Sequence, residues 1–140
     1  MNIEVLHSSG ITTAVQERVS ALYSQLNPTE HQSPLHEVLA NNNVVMVVCK
    51  EDAIICGMAL LVTYKVLAGY RGLVEDVVVD VSYRGKGIGK KLMQKLVEQG
   101  NEMGLDEILL FSGHHRTAAI ALYKSLGFTM RNSGVYQLKV

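Results

Sequence analysis

The chain has 140 residues, 48% hydrophobic and 19% charged, enough to bury one sizeable core and too apolar for a disordered segment. Thirteen Lys and Arg balance thirteen Asp and Glu, which removes the electrostatic basis for a general nucleic-acid or membrane-surface binder. No apolar run has the length of a membrane span, and Met1–Gly10 has no basic segment leading into an apolar one. The expectation is one domain over residues 1–140, in the cytoplasm.

Asn2–His7 reads as a short strand. Ile11, Val15, Val19, Leu22 and Leu26 recur every three to four residues, which predicts an amphipathic helix over Ile11–Leu26, with Thr13 and Gln16 as its capping box and Pro28 beyond its end. Pro34 is suited to open a short helix reaching Leu39, and Asn41–Asn43 breaks it. Val44–Cys49 and Ile54–Tyr64 are apolar, β-branched runs separated by Glu51-Asp52, a hairpin pattern, and Leu73–Val79 gives a third strand of this group. Ile88, Leu92, Leu96, Val97 and Met103 mark a helix closed by glycines. Ile108–Phe111 is a short strand whose continuous apolar run predicts burial on both faces. Thr117–Ser125 is a helix presenting Ala118, Ala121, Leu122 and Leu126, with Gly127 at its end. Phe128–Met130 and Val135–Lys139 read as a last hairpin turning at Asn132-Ser133-Gly134. Antiparallel strands followed by a strand–helix–strand crossover place the fold in the α+β (mixed α/β) class. Cys49 and Cys56 lie in strand-like runs and do not form a C-x-x-C, so they read as buried thiols in a reducing compartment, a disulfide or metal site being the lesser alternative.

Gly85, Gly87 and Gly89 fall within five residues, between a valine-rich strand and a helix, with Arg84, Lys86, Lys90 and Lys91 among them. A helix start offers unpaired N–H groups and a partial positive charge, and glycine removes the Cβ that would keep a phosphate away. The segment is therefore read as a phosphate or pyrophosphate site. It is not a Walker loop, because Arg84 stands where the first Gly belongs and Lys91 where the hydroxyl belongs. Nor is it a dinucleotide loop, which would need Gly at Lys90 or Leu92. What fits is Arg-x-x-Gly-x-Gly from Arg84 to Gly89.

This pattern, with Val74–Gly89 and the later Ala-Leu-Tyr-Lys-Ser-Leu-Gly-Phe at Ala121–Phe128, resembles the GNAT acyltransferase superfamily from roughly Asn43 to the C-terminus. The resemblance implies a central mixed, mostly antiparallel sheet flanked by helices, acetyl-CoA as cosubstrate, and N-acetylation of a primary amine on a small molecule or peptide. It implies that the strand end Val77, Val78 and Val79 pairs with the pantetheine arm, and that Arg84, Gly85, Lys86, Gly87, Ile88, Gly89 and Lys90 hold the pyrophosphate. Glu75 would then be the general base, since an ammonium must lose a proton before it can attack a thioester. The competing role for Glu75 is an ion pair with Arg71 or Lys65; strand alternation predicts that Asp76 points to the opposite face.

By the same resemblance Tyr123 would assist the departing thiolate, against a plain core tyrosine with a satisfied hydroxyl. Arg116 stands where many members carry Asn, which replaces a polar pantetheine contact with a cation. His31, His36, Tyr64, Tyr70 and Arg71 fall in segments that wall the acceptor site in this family, and His31 with Arg71 leans towards an acceptor with an anionic group. The histidine spacings match no zinc pattern, so no metal is expected. Neither cysteine is placed as an acyl carrier, which favours direct transfer in a ternary complex. A CoA-binding sensor without turnover is the alternative on the same fold. A homodimer is open, with Val135–Lys139 as a strand that could pair across an edge.

Overall fold

The computed structural model describes residues 1–140. Its first strand, β1 (Asn2–Leu6), leads into helix α1 (Thr13–Leu26), a five-residue helix α2 (Leu35–Leu39), and the long strands β2 (Val44–Glu51), β3 (Ile54–Val66) and β4 (Gly69–Val79). Helix α3 (Ile88–Met103), strand β5 (Glu107–Leu109) and helix α4 (Thr117–Ser125) follow. The strands form one sheet in the order β1-β2-β3-β4-β5, antiparallel except for the β4–β5 pair. This is the mixed, mostly antiparallel sheet implied by the sequence.

The run Val-Val-Met-Val-Val-Cys in β2 is apolar at every position because both sheet faces are covered. Val47 and Cys49 enter a core closed by Ile88, Leu92, Met93 and Leu96 of α3, while Met46 and Val48 enter a second core closed by Val19 and Leu22 of α1 and Leu35 of α2. Gly57 lets α3 lie close over β3: a Cβ there would sit 3.0 Å from Ile88 and 3.1 Å from Leu92. Both cysteines are free and fully buried, and the Cys56 thiol donates to the Cys49 carbonyl at 3.4 Å.

Several local expectations are corrected. Thr12, not Thr13, caps α1, accepting from Val15 N at 3.1 Å. The β2–β3 turn is Asp52-Ala53, both with positive φ, because Glu51 is still paired with Ile54. Helix α4 packs Ala119, Leu122, Tyr123 and Leu126 on the core, whereas Ala118 and Ala121 are exposed. Strand β5 is half-buried rather than sealed on both faces, and Phe111 is exposed. The last hairpin does not form: residues after Ser125 add no strand, and Val135, Tyr136, Leu138 and Val140 stay exposed. An alternating pattern becomes a strand only where it pairs with an edge and covers a face, and within this chain the segment does neither.

Candidate active site

Strand β4 pairs with β5 only over Arg71–Leu73, opposite Glu107–Leu109, yet β4 continues to Val79. The two strands therefore part, and the β5-facing edge of β4 runs on without a partner strand past Val77, Val78 and Val79. Val77 and Val79 pack towards α3 and Val78 is buried towards α1, so the side chains anchor the strand and leave backbone groups at its edge. An extended ligand can add there as a further strand would.

The parting leads into the glycine segment. Gly85 and Gly87 have φ of 82° and 76°, a region that side chains disfavour, and neither has any atom within 4 Å of where a Cβ would stand. Gly87 is the N-cap of α3, and its carbonyl accepts the first helical bond, from Lys91 N at 3.2 Å. The N–H groups of Ile88, Gly89 and Lys90 thus form the free first turn. Arg84, Lys86 and Lys90 are exposed around it. Arg84 Nε reaches back to the Val79 carbonyl at 3.3 Å, and Lys86 Nζ stands 5.1 Å from the centre of the Tyr83 ring. Ile88 is buried and anchors the helix start. A turn of free N–H groups ringed by three cations fits a pyrophosphate.

The register shifts between Met58 and Leu60, which pair with Val78 and Glu75 respectively, so Asp76 and Val77 stand opposite Ala59 alone. Asp76 takes φ 52° at this bulge. The bulge overturns simple alternation: Glu75 lies opposite Leu60, and Asp76 lines a cavity together with Leu60 and Met58, so both carboxylates serve the α1 side of the sheet. Burial, and then the neighbouring Asp76 charge, raises the Glu75 carboxyl; burial raises Asp76 as well. Glu75 makes no ion pair, because Arg71 is bound to Glu107 at 2.9 Å and Lys65 stands 4.9 Å from the centre of the Tyr70 ring.

The cavity, about 420 Å³, lies between α1, the segment before α2, and the sheet, with Tyr23, His31, Met58, Leu60 and Asp76 in its wall. His31 thus lines a cavity. His36 belongs to a neighbouring open groove along α1. Tyr64, Tyr70 and Arg71 do not line the cavity. Tyr64 and Arg71 are paired at the far end of the β3–β4 hairpin, and the Tyr70 hydroxyl meets Thr63 Oγ1 at 3.3 Å. Arg71 thus lies outside this cavity, bound to Glu107.

Tyr123 is buried, with its ring edge-on to Phe128 at 6.2 Å. Its hydroxyl makes no hydrogen bond within the chain and is not a sealed-off polar atom. The ring is thus core, while the hydroxyl remains available. The neighbouring Leu122 lies 3.6 Å from the Cβ position of Gly89, which sets α4 against the start of α3. Arg116 is the exposed N-cap of α4 and forms no ion pair.

Sequence reasoning missed Arg18. From α1 it donates through Nε to the Ile55 carbonyl at 2.7 Å and forms an ion pair with Asp80, whose other carboxylate oxygen accepts from Ser82 N at 2.8 Å. Gln25, also on α1, accepts from Val81 N at 2.9 Å. Asp80 is held below the ordinary carboxylate range by the Ser82 N–H first and by Arg18 next. The turn between β4 and the anion loop is fastened to the helix that walls the cavity. The 62-residue separation of Arg18 and Asp80 leaves no local sequence signal for this pair.

The acetyltransferase (GNAT) family model matches residues 12–128. An L-methionine sulfoximine/L-methionine sulfone acetyltransferase of Salmonella typhimurium is 30% identical over 86 residues, covering 61% of this chain and 50% of that protein. The chain spans about half the length of the curated relatives it first matches. A Trypanosoma brucei acetyltransferase structure superposes with a TM-score of 0.76 at 27% identity, covering 99% of both chains. The structure of AAC(6')-Iy with a CoA-containing bisubstrate analogue gives 0.79 at 19% identity, covering 100% of this chain and 99% of that one. The chain belongs to the GNAT acetyltransferase family.

Proposed function

We propose that this chain, as one domain, is an acetyl-CoA-dependent N-acetyltransferase that acetylates a primary amine by direct transfer in a ternary complex. The observation that carries the reading is the parting of β4 from β5, which leads from the Glu75–Asp76 bulge past Val77–Val79 to the free N–H groups of Ile88–Lys90. One continuous path thus offers a carboxylate pair, a strand edge for an amide-bearing arm, and a diphosphate cradle. Membership of the family and the likeness to a chain that holds a CoA analogue support the same cosubstrate.

In this scheme the ammonium of the acceptor loses its proton through water to Glu75, whose raised carboxyl makes it a better base than an ordinary glutamate. The free amine attacks the thioester carbonyl, and the charge that develops on oxygen is met by backbone N–H groups at the β4 edge. The carbon–sulfur bond breaks as the carbon–nitrogen bond forms. The Tyr123 hydroxyl gives its proton to the departing thiolate and is restored, through water, by the proton that the acylated nitrogen sheds, and Arg116 supplies a cation near the cofactor. No acyl-enzyme is involved: Cys49 is 0% exposed, and its thiol is pushed up to about 12 by burial and by Cys56.

The domain is assigned to the cytoplasm, and no helix is long and apolar enough to cross a membrane. A homodimer is part of the proposal, with the exposed Val135–Lys139 segment of each copy adding to the edge strand β5 of the other; sedimentation velocity tests it.

Initial rates of thiol release from acetyl-CoA over a panel of amines test the chemistry. Release that requires an amine and gives intersecting double-reciprocal lines supports direct transfer, whereas parallel lines indicate an acyl-enzyme. Tight CoA binding with no release for any amine supports the sensor instead.

A further inference from the structure

The cavity that the proposed function uses for the acceptor is electrically one-sided. Gln16, Ser20, Tyr23, Gln32 and Asp76 provide its polar wall along with His31, and no Lys or Arg lines it. The cations on the surrounding elements are engaged elsewhere. Arg18 is held by Asp80 and the Ile55 carbonyl, and Arg71 by Glu107. Helix α2, which borders the cavity, has only five residues and cannot set up a helix-end field for an anion. Against this, the bulge turns the Asp76 carboxylate into the wall and puts Glu75 on the same side of the sheet.

From this geometry we infer that the acceptor is an amine whose other groups are neutral or cationic, and that this site rejects amines bearing a carboxylate or phosphate. The inference rests on the reading of this cavity as the acceptor site. It commits to more than transfer to an amine, because an amino acid or a sugar phosphate also presents a primary amine. An acceptor carboxylate in this cavity would meet Asp76, with Glu75 on the same side of the sheet and no Lys or Arg to offset them, and a desolvated like-charge contact is a strong discriminator. An acceptor cation would find the Asp76 carboxyl in the wall beside it while Glu75 takes the reacting proton. The half-buried phenol of Tyr23 reports the same field: it is raised first by burial, then by Asp76, Glu30 and Glu75. The remaining wall, Met46, Met58, Leu60 and Val38, suits an aliphatic or ring stem.

Matched amines differing by one anionic group test this: cadaverine against lysine, tyramine against tyrosine, and glucosamine against glucosamine 6-phosphate. Calorimetric binding to the protein saturated with free CoA avoids any dependence on turnover, and thiol release from acetyl-CoA is followed in parallel. The non-anionic member of at least one pair should bind at least about tenfold more tightly. In Asp76→Asn, a substitution that suits the left-handed backbone there, that preference should shrink to within about threefold while CoA affinity is unchanged. Equal or tighter binding of the anionic member, or no binding by any of the six amines, overturns the inference. Selective binding without thiol release keeps the inference and removes acetyl transfer. Thiol release with the opposite preference removes the inference and keeps transfer.

Discussion

Arg18 of α1 and Asp80 at the end of β4 form an ion pair in which the aspartate is only 6% exposed. The pair joins the helix beside the cavity to the turn that precedes the glycine segment. Removing one member of a buried pair leaves an uncompensated charge, so Arg18→Met should lower unfolding free energy by about 2–3 kcal/mol, less than for a fully buried pair because Arg18 keeps partial solvent access. Urea denaturation measures this. The folded-state carboxyl of Asp80 lies below its unfolded value. Its stabilisation is therefore present above the unfolded value of about 3.9 and is lost as pH falls through the folded value. Asp80→Asn should flatten the acid limb of the stability curve.

Glu75 and Asp76 give a second loss on acidification, set by carboxyls shifted the other way. Both carboxyls lie above their ordinary range, and a base acts only when deprotonated. The acid limb of kcat/KM should therefore reach half-height above the ordinary glutamate value of about 4.3. Asp76→Asn removes the like charge beside Glu75 and should move that limb to lower pH, whereas Glu75→Gln should abolish it together with most activity.

Tyr123 separates packing from chemistry. Because its hydroxyl makes no hydrogen bond within the chain, Tyr123→Phe keeps the buried ring and should change stability by less than about 0.5 kcal/mol. Loss of a proton donor to the leaving thiolate should lower kcat by about 10²-fold. Thermal unfolding and steady-state kinetics on one preparation read both quantities.

Gly87 has φ 76° and open space where a Cβ would stand. Gly87→Ala should cost about 1 kcal/mol in stability through backbone strain alone. A pyrophosphate seated against the loop would meet the new methyl, so CoA affinity should fall by more than that strain explains. Titration calorimetry with CoA checks this.

The parts of the molecule legible in the sequence are those with local causes. The β-branched runs of Val44–Cys49 and Ile54–Tyr64 pointed to paired strands, and the glycines of Arg84–Gly89 to an open turn at a helix start, because each signal lies within a few consecutive residues. The cavity was not legible. Alternation put Glu75 and Asp76 on opposite faces, and only the register shift across β3 brings them to one. Arg71 reads as available in the sequence, but it is paired with Glu107 of the neighbouring strand, far along the chain and without a local signal. The Val135–Lys139 pattern satisfies strand grammar but neither pairs with an edge nor covers a face within the chain.

The most direct test of acetyl transfer at this site is thiol release from acetyl-CoA by the wild-type chain, Glu75→Gln and Tyr123→Phe, with CoA affinity measured on each. The account predicts amine-dependent release by the wild type, a fall of about 10²-fold or more in each variant, and unchanged CoA affinity. Release that persists at the wild-type rate in both variants would contradict the roles given to Glu75 and Tyr123. Absence of CoA binding by the wild type would contradict the site itself.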